Sequence, residues 1–199
     1  MARILVLYYS SYGHTETMAH AISAGACQAG GQVVVKRVPD LVPPAIAAKA
    51  GYIVNQPVPT ASVAELPSYD AIIFGTPTRY GMMAAQMKNF LDQTSQLWAQ
   101  DRLVGKLGAV FTSTGLQHGG HEATILSFHT VLLHLGMIVV GLPYSYGGLT
   151  HMDALVGCSP YGASTLSGKR GERTPTEIDL EGAKFQGRHL ASLAAKLAG

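Results

Sequence analysis

Ile4-Leu5-Val6-Leu7-Tyr8-Tyr9 runs directly into Ser10-Ser11-Tyr12-Gly13-His14-Thr15, and the reading of this stretch decides the fold. An apolar run this short and unbroken suits a parallel strand buried on both faces, and it is too short to cross a membrane. After the polar loop, Met18, Ile22 and Ala26 repeat at helical spacing, with Ala19 and Ala29 beside them, until Gly30-Gly31 closes the helix. A strand that hands a loop of small hydroxyl residues to a helix start builds an anion cradle, because the first N–H groups of the helix have no partner within it. Gly13 tolerates positive φ and lets the backbone come close, while Ser10, Tyr12 and Thr15 add hydroxyl donors. No lysine lies in the loop, and no G-x-x-x-x-G-K-[ST] match occurs elsewhere, so a monophosphate is expected there rather than a triphosphate.

The rest of the chain repeats the alternation of short apolar strand and amphipathic helix. Gln32 to Val38 reads as a second strand, Ala71 to Gly75 as a third, Gly108 to Phe111 as a fourth and Met137 to Val140 as a fifth. Met83, Met87, Phe90, Leu91, Thr94 and Trp98 make one stripe of a third helix. Ile125, Phe128, Leu132 and Leu135 mark a fourth helix, with Gly136 after its last turn, and Thr176 to Leu197 a final one. Such an order predicts an α/β fold: a doubly wound, five-stranded parallel sheet with helices on both faces and a ligand at its carboxyl edge. Two excursions leave this frame. The first, about 39–67, is broken by six prolines and holds a short helix near Ala45–Ala50; the second, about 142–175, is rich in glycine.

A chain of 199 residues suits one domain. Apolar residues make up 47% and charged residues 13%, too few charges to cover a monomer's surface, so an oligomer is expected. A net charge of +2 without any Lys/Arg run suggests neither nucleic acid nor membrane as a partner. Cys27 and Cys158 stand far apart with no C-x-x-C pattern, which fits free thiols in a reducing compartment, and the cytoplasm is the expected location. His118 and His121 form an isolated H-x-x-H with no cysteine or carboxylate pair beside it, so no metal site is expected.

Four further segments sharpen the picture: Gly75-Thr76-Pro77-Thr78-Arg79-Tyr80-Gly81, Phe90-Leu91-Asp92-Gln93-Thr94, Thr112-Ser113-Thr114-Gly115 and Pro160-Tyr161-Gly162-Ala163. With the first loop they resemble, in order and across essentially the whole chain, the WrbA family of flavodoxin-like NAD(P)H:quinone oxidoreductases. The resemblance implies FMN as cofactor, NAD(P)H and quinones as substrates, two-electron transfer in a ping-pong sequence at one flavin face, and a homotetramer. It assigns Ser10, Ser11, Tyr12, Gly13, His14 and Thr15 to the FMN phosphate. Thr78, Arg79 and Tyr80, together with Ser113, Thr114, Gly115, Leu116, Gln117 and His118, go to the flavin ring. His134, which otherwise reads as a helix-capping residue, is by resemblance beside the flavin and catalytic, where it can hydrogen-bond or protonate a reduced quinone oxygen. Trp98 reads as packing by its stripe and, with Tyr12, as substrate-binding by resemblance. A flavodoxin-type electron carrier is the alternative, but such carriers need a charged docking face, often strongly acidic, and this chain is faintly basic.

Overall fold

The computed structural model describes residues 1–198. The chain begins with β1 (Arg3–Tyr8), α1 (His14–Gln28) and β2 (Gln32–Arg37), then makes the first excursion, which holds α2 (Pro44–Lys49) and a 3-10 turn at Val63–Ser68. β3 (Ala71–Arg79), β4 (Met82–Met83), α3 (Ala85–Asp92) and α4 (Ser95–Ala99) follow. β5 (Leu107–Thr114), α5 (His121–His134), β6 (Ile138–Val139), β7 (Ser164–Leu166) and α6 (Glu177–Ala198) complete it.

The parallel sheet runs β2-β1-β3-β5-β6, the doubly wound order expected. β1 explains why. Ile4, Val6 and Tyr8 pack on one face with Met18 and Ile22 of α1 and Leu190 of α6, while Leu5, Leu7 and Tyr9 pack on the other with Met87, Phe90, Ile125 and Phe128. Alternate residues of one strand thus seed two cores, which is why the strand reads as an unbroken apolar run. On the first face α1 and α6 meet backbone to backbone: a Cβ on Gly25 would lie 1.9 Å from the Lys184 carbonyl oxygen, and one on Gly187 2.1 Å from that of Ile22.

Three local expectations need correction. The stripe from Met83 to Trp98 is not one helix: Met83 lies in β4, opposite Thr78, and the rest divides at Gln93-Thr94 into α3 and α4. Trp98 therefore leaves the core and is 59% exposed. The fifth strand is split, β6 pairing with Leu107–Gly108 and β7 with Thr112–Thr114 on the same edge of β5. Gly141 is where the chain departs, pressed so close to Pro160 that a Cβ would lie 2.3 Å from its carbonyl oxygen, and a Ser159–Gly162 bridge turns it back. The second excursion is thus an insertion within a sheet strand, and it returns to the carboxyl edge. No helix among the described residues is long and apolar enough to cross a membrane.

Candidate functional site

The carboxyl ends of β1, β3 and β5, with the loops that continue them, open on one cavity of about 320 Å³ at the carboxyl edge. The first contributes Ser10, Ser11, Tyr12, His14 and Thr15; the second Pro77, Thr78 and Arg79; the third Ser113, Thr114 and Gly115. Gly13, with φ 90°, is the N-cap of α1, and its N–H donates to Ser10 Oγ at 3.0 Å. The N–H groups of His14, Thr15 and Glu16 make no backbone hydrogen bond among the described residues, which leaves them free for an anion. Thr15 Oγ1 and Ser113 Oγ lie 3.1 Å apart, joining the first loop to the third.

The first excursion braces the cradle from outside. Ile53 N–H donates to the Ser11 carbonyl at 2.8 Å, and Gln56 Nε2 to that of Ser10 at 2.8 Å. Tyr12 packs edge-on against Tyr52 at 5.2 Å. Behind the loop, Tyr9 hydroxyl receives Gln86 Nε2 at 2.9 Å, and burial pushes its pKa up to about 12, so it stays a neutral hydroxyl.

The second loop is a hairpin, with Arg79 pairing with Met82 around a two-residue turn in which Tyr80 (φ 53°) and Gly81 (φ 78°) are both left-handed. This geometry holds Arg79 over the cavity, where Nη2 donates to Ser11 Oγ at 3.2 Å and Nη1 to the Thr78 carbonyl at 2.9 Å. Thr78 Oγ1 is tied to Thr124 Oγ1 of α5 at 2.7 Å. Tyr80, at the tip, is fully exposed and lines no wall of the cavity in this chain.

Other assigned residues also lie apart. Leu116, Gln117 and His118 are exposed, and the last two line a neighbouring cavity with Cys158 and His121. His134 is the last residue of α5, whose first turn abuts the site, so the full helix, about 20 Å at 1.5 Å per residue, separates it from the cavity of its own chain. Trp98 does not line that cavity either.

One wall was missed from sequence: Ser167, Gly168, Lys169, Arg170 and Gly171, just after β7. Ser167 N–H donates to the Thr114 carbonyl at 2.7 Å and its Oγ at 3.1 Å, extending the β7 pairing past the third loop. The cavity thus carries Arg79, Lys169 and Arg170 and no carboxylate in its lining. A Lys-Arg pair bounded by Gly168 and Gly171, in a chain with so little charge, was the available signal. Hydroxyls, free helix N–H groups and three cations fit a phosphate monoester, and the aromatic Tyr12 beside them suits a flat ring. Among the described residues, no three His, Cys, Asp or Glu side chains are placed to hold a metal.

Residues 2–151 match the family model of NADPH-dependent FMN reductases. The chain is 65% identical over 199 residues to a NAD(P)H dehydrogenase (quinone) of Paracoccus denitrificans, covering 99% of this chain and 96% of that one. It is 61% identical over 199 residues to NAD(P)H dehydrogenase (quinone) 3 of Rhizobium meliloti, covering 99% and 94%. Among solved structures, a WrbA-like flavodoxin protein of Agrobacterium tumefaciens superimposes with a TM-score of 0.69 at 24% identity, over 98% of this chain and 99% of that one. An archaeal flavodoxin gives 0.63 at 24%, over 97% and 99%.

Proposed function

Since this chain belongs to the NADPH-dependent FMN reductase family, we propose that it is an FMN-dependent oxidoreductase that moves two electrons from NAD(P)H to quinones. The observation that carries this reading is the convergence of all three carboxyl-edge loops on one cationic, hydroxyl-rich cavity. The name shared by the relatives, NAD(P)H dehydrogenase (quinone), supports the choice of donor and acceptor. Bound FMN supplies the two-electron exchange. The chain's own part is to bind and orient: Ser10 to Thr15, with Lys169 and Arg170, receive the phosphate, and Thr78, Arg79 and Ser113 to Gly115 meet the ring. Arg79 also brings positive charge where negative charge develops on reduction.

Donor and acceptor use the same open face in turn, which makes the kinetics ping-pong. Tyr12 flanks that face from within the chain. His134 and Trp98 reach a flavin only from another copy, because each lies away from the cavity of its own chain. We therefore read the active form as a homotetramer in which neighbours complete the pocket. Exposed apolar side chains at Trp98, Val104, Leu133 and Ile138 support an interface there. The two free thiols favour the cytoplasm as its compartment.

Titrating apo-protein with FMN and FAD tests the cofactor: one FMN per chain is expected, and equal retention of FAD sinks the assignment. Initial rates with NADH at several benzoquinone concentrations should give parallel double-reciprocal lines, whereas intersecting lines refute ping-pong.

A further inference from the structure

The third loop is held by a residue that the reading above leaves without a role. His121, the first residue of α5, bridges two segments remote in sequence: Nε2 lies 2.8 Å from Thr114 Oγ1, and Nδ1 2.9 Å from Ser164 Oγ in β7. The neighbouring bonds fix its protons. Thr114 Oγ1 donates its own hydrogen to the Leu116 carbonyl at 2.8 Å, so it must accept from His121 Nε2–H. Nδ1 is then the acceptor and takes the Ser164 hydroxyl hydrogen. Ser164 Oγ accepts in turn from the Cys158 N–H at 2.7 Å. Every member of the chain Leu116, Thr114, His121, Ser164, Cys158 is satisfied with a neutral imidazole. A proton on Nδ1 would confront the Ser164 hydroxyl hydrogen and force it to turn away.

We infer that His121 is a positioning residue for the cofactor loop: neutral, it clamps Thr114 to the β7 edge and keeps Ser113 to Gly115 in their binding shape, and acid releases the clamp. This rests on the reading that those residues face FMN. The groups around the ring divide. Desolvation is the largest influence and lowers its pKa, and His118 in the third loop adds to that, while Asp179 of α6 and the Leu116 carbonyl act the other way. Asp179 is otherwise engaged, receiving Gly157 N–H at 2.7 Å, Thr165 Oγ1 at 2.8 Å and Thr176 N–H at 3.1 Å. Glu122, adjacent on α5, is exposed, and burial keeps the Cys158 thiol of the second excursion protonated. Because the pKa is depressed, the clamp is intact above the ordinary histidine value of about 6.5 and weakens as pH falls below it.

The test compares wild type with His121→Gln, which carries a donor and an acceptor but no titrating proton, and with His121→Leu, which carries neither. FMN dissociation constants are measured between pH 7.5 and 5.5. The FMN phosphate titrates in the same range in every variant, so the quantity read is the difference in slope. Wild type should lose roughly tenfold more affinity than His121→Gln, the effect of one or two hydrogen bonds. His121→Leu should bind more weakly than His121→Gln already at pH 7.5. Equal slopes for wild type and His121→Gln overturn the inference. Hydrogen exchange of the apo-protein over residues 113–119, corrected for intrinsic rates, reads the clamp without cofactor. Protection lost in acid by wild type but kept by His121→Gln upholds the clamp even if FMN fails to bind, an outcome that sinks only the cofactor reading. Equal protection in both proteins at pH 5.5 overturns it.

Discussion

Gly13→Ala separates two ways in which the loop between β1 and α1 could be built. Gly13 has φ 90°, and its Cβ would lie 3.1 Å from Ile53 Cδ1, a contact tight enough that Ile53 must shift by a few tenths of an ångström. Holding an alanine in the left-handed region costs about 1–2 kcal/mol. The loop is braced by its own bonds, from Gly13 to Ser10, from Ile53 to Ser11 and from Gln56 to Ser10, so free and FMN-bound protein carry the same strain. The penalty should then appear in stability and largely cancel from binding. At roughly 2–4 °C per kcal/mol for a chain of this size, the apo-protein should melt about 2–8 °C lower at fixed protein concentration. Its FMN dissociation constant should rise by less than about threefold, a residual of some tenths of a kcal/mol. Ile53→Val removes the atom that is crowded, and in a double-mutant cycle it should restore the steric part of the loss but not the backbone part. Scanning calorimetry and flavin fluorescence titration measure both quantities. An unchanged melting temperature with a thirtyfold weaker FMN affinity would falsify this account, because it would mean that the loop takes shape only around the ligand.

Replacing both Lys169 and Arg170 by alanine should weaken FMN about three- to tenfold and flatten the dependence of affinity on salt, as expected for exposed charges facing a phosphate; equal salt slopes in the two proteins would remove this loop from the site. Burial pushes the Cys158 thiol up to about 12 from 9.0, so at pH 8 a thiol reagent should label the exposed Cys27 well before the half-buried, protonated Cys158. With a raised pKa, the stability that this buried thiol contributes is complete below pH 9 and is lost toward pH 12, and rapid labelling of both cysteines in native protein would contradict the burial. Arg79→Ala and Trp98→Ala homo-oligomers should each reduce quinone slowly, the first through its own loop and the second through its neighbour's pocket. Hybrids formed by refolding the two together should recover a measurable fraction of wild-type activity, and no recovery refutes a pocket shared between copies.

The local chemistry of this protein was legible in its sequence. A short apolar run handed to a turn and a helix reads as a strand buried on both faces, and the hydroxyl loop around Gly13 reads as a close approach of backbone to something small. Each conclusion follows from residues adjacent in the chain, so the doubly wound order and the wall of Ser10 to Thr15 could be read in advance, while the walls of Thr78 and Arg79 and of Ser113 to Gly115 came from the family resemblance. What tertiary structure decided depends on residues far apart. Ser164-Thr165-Leu166 is too short to carry a period, and it becomes a strand only because β5 offers it an edge past the point where β6 has left. That pairing carries Lys169 and Arg170 to the cavity and sets Ser164 against His121. Met83 and Trp98 share a helical spacing that the hairpin at Tyr80-Gly81 and the break at Gln93-Thr94 override, because pairing with β3 holds Met83 in a strand. His134 is separated from the site by α5 itself. A periodic pattern records which face of an element is apolar, but not which end of it meets the ligand; that is decided by the direction in which the sheet runs.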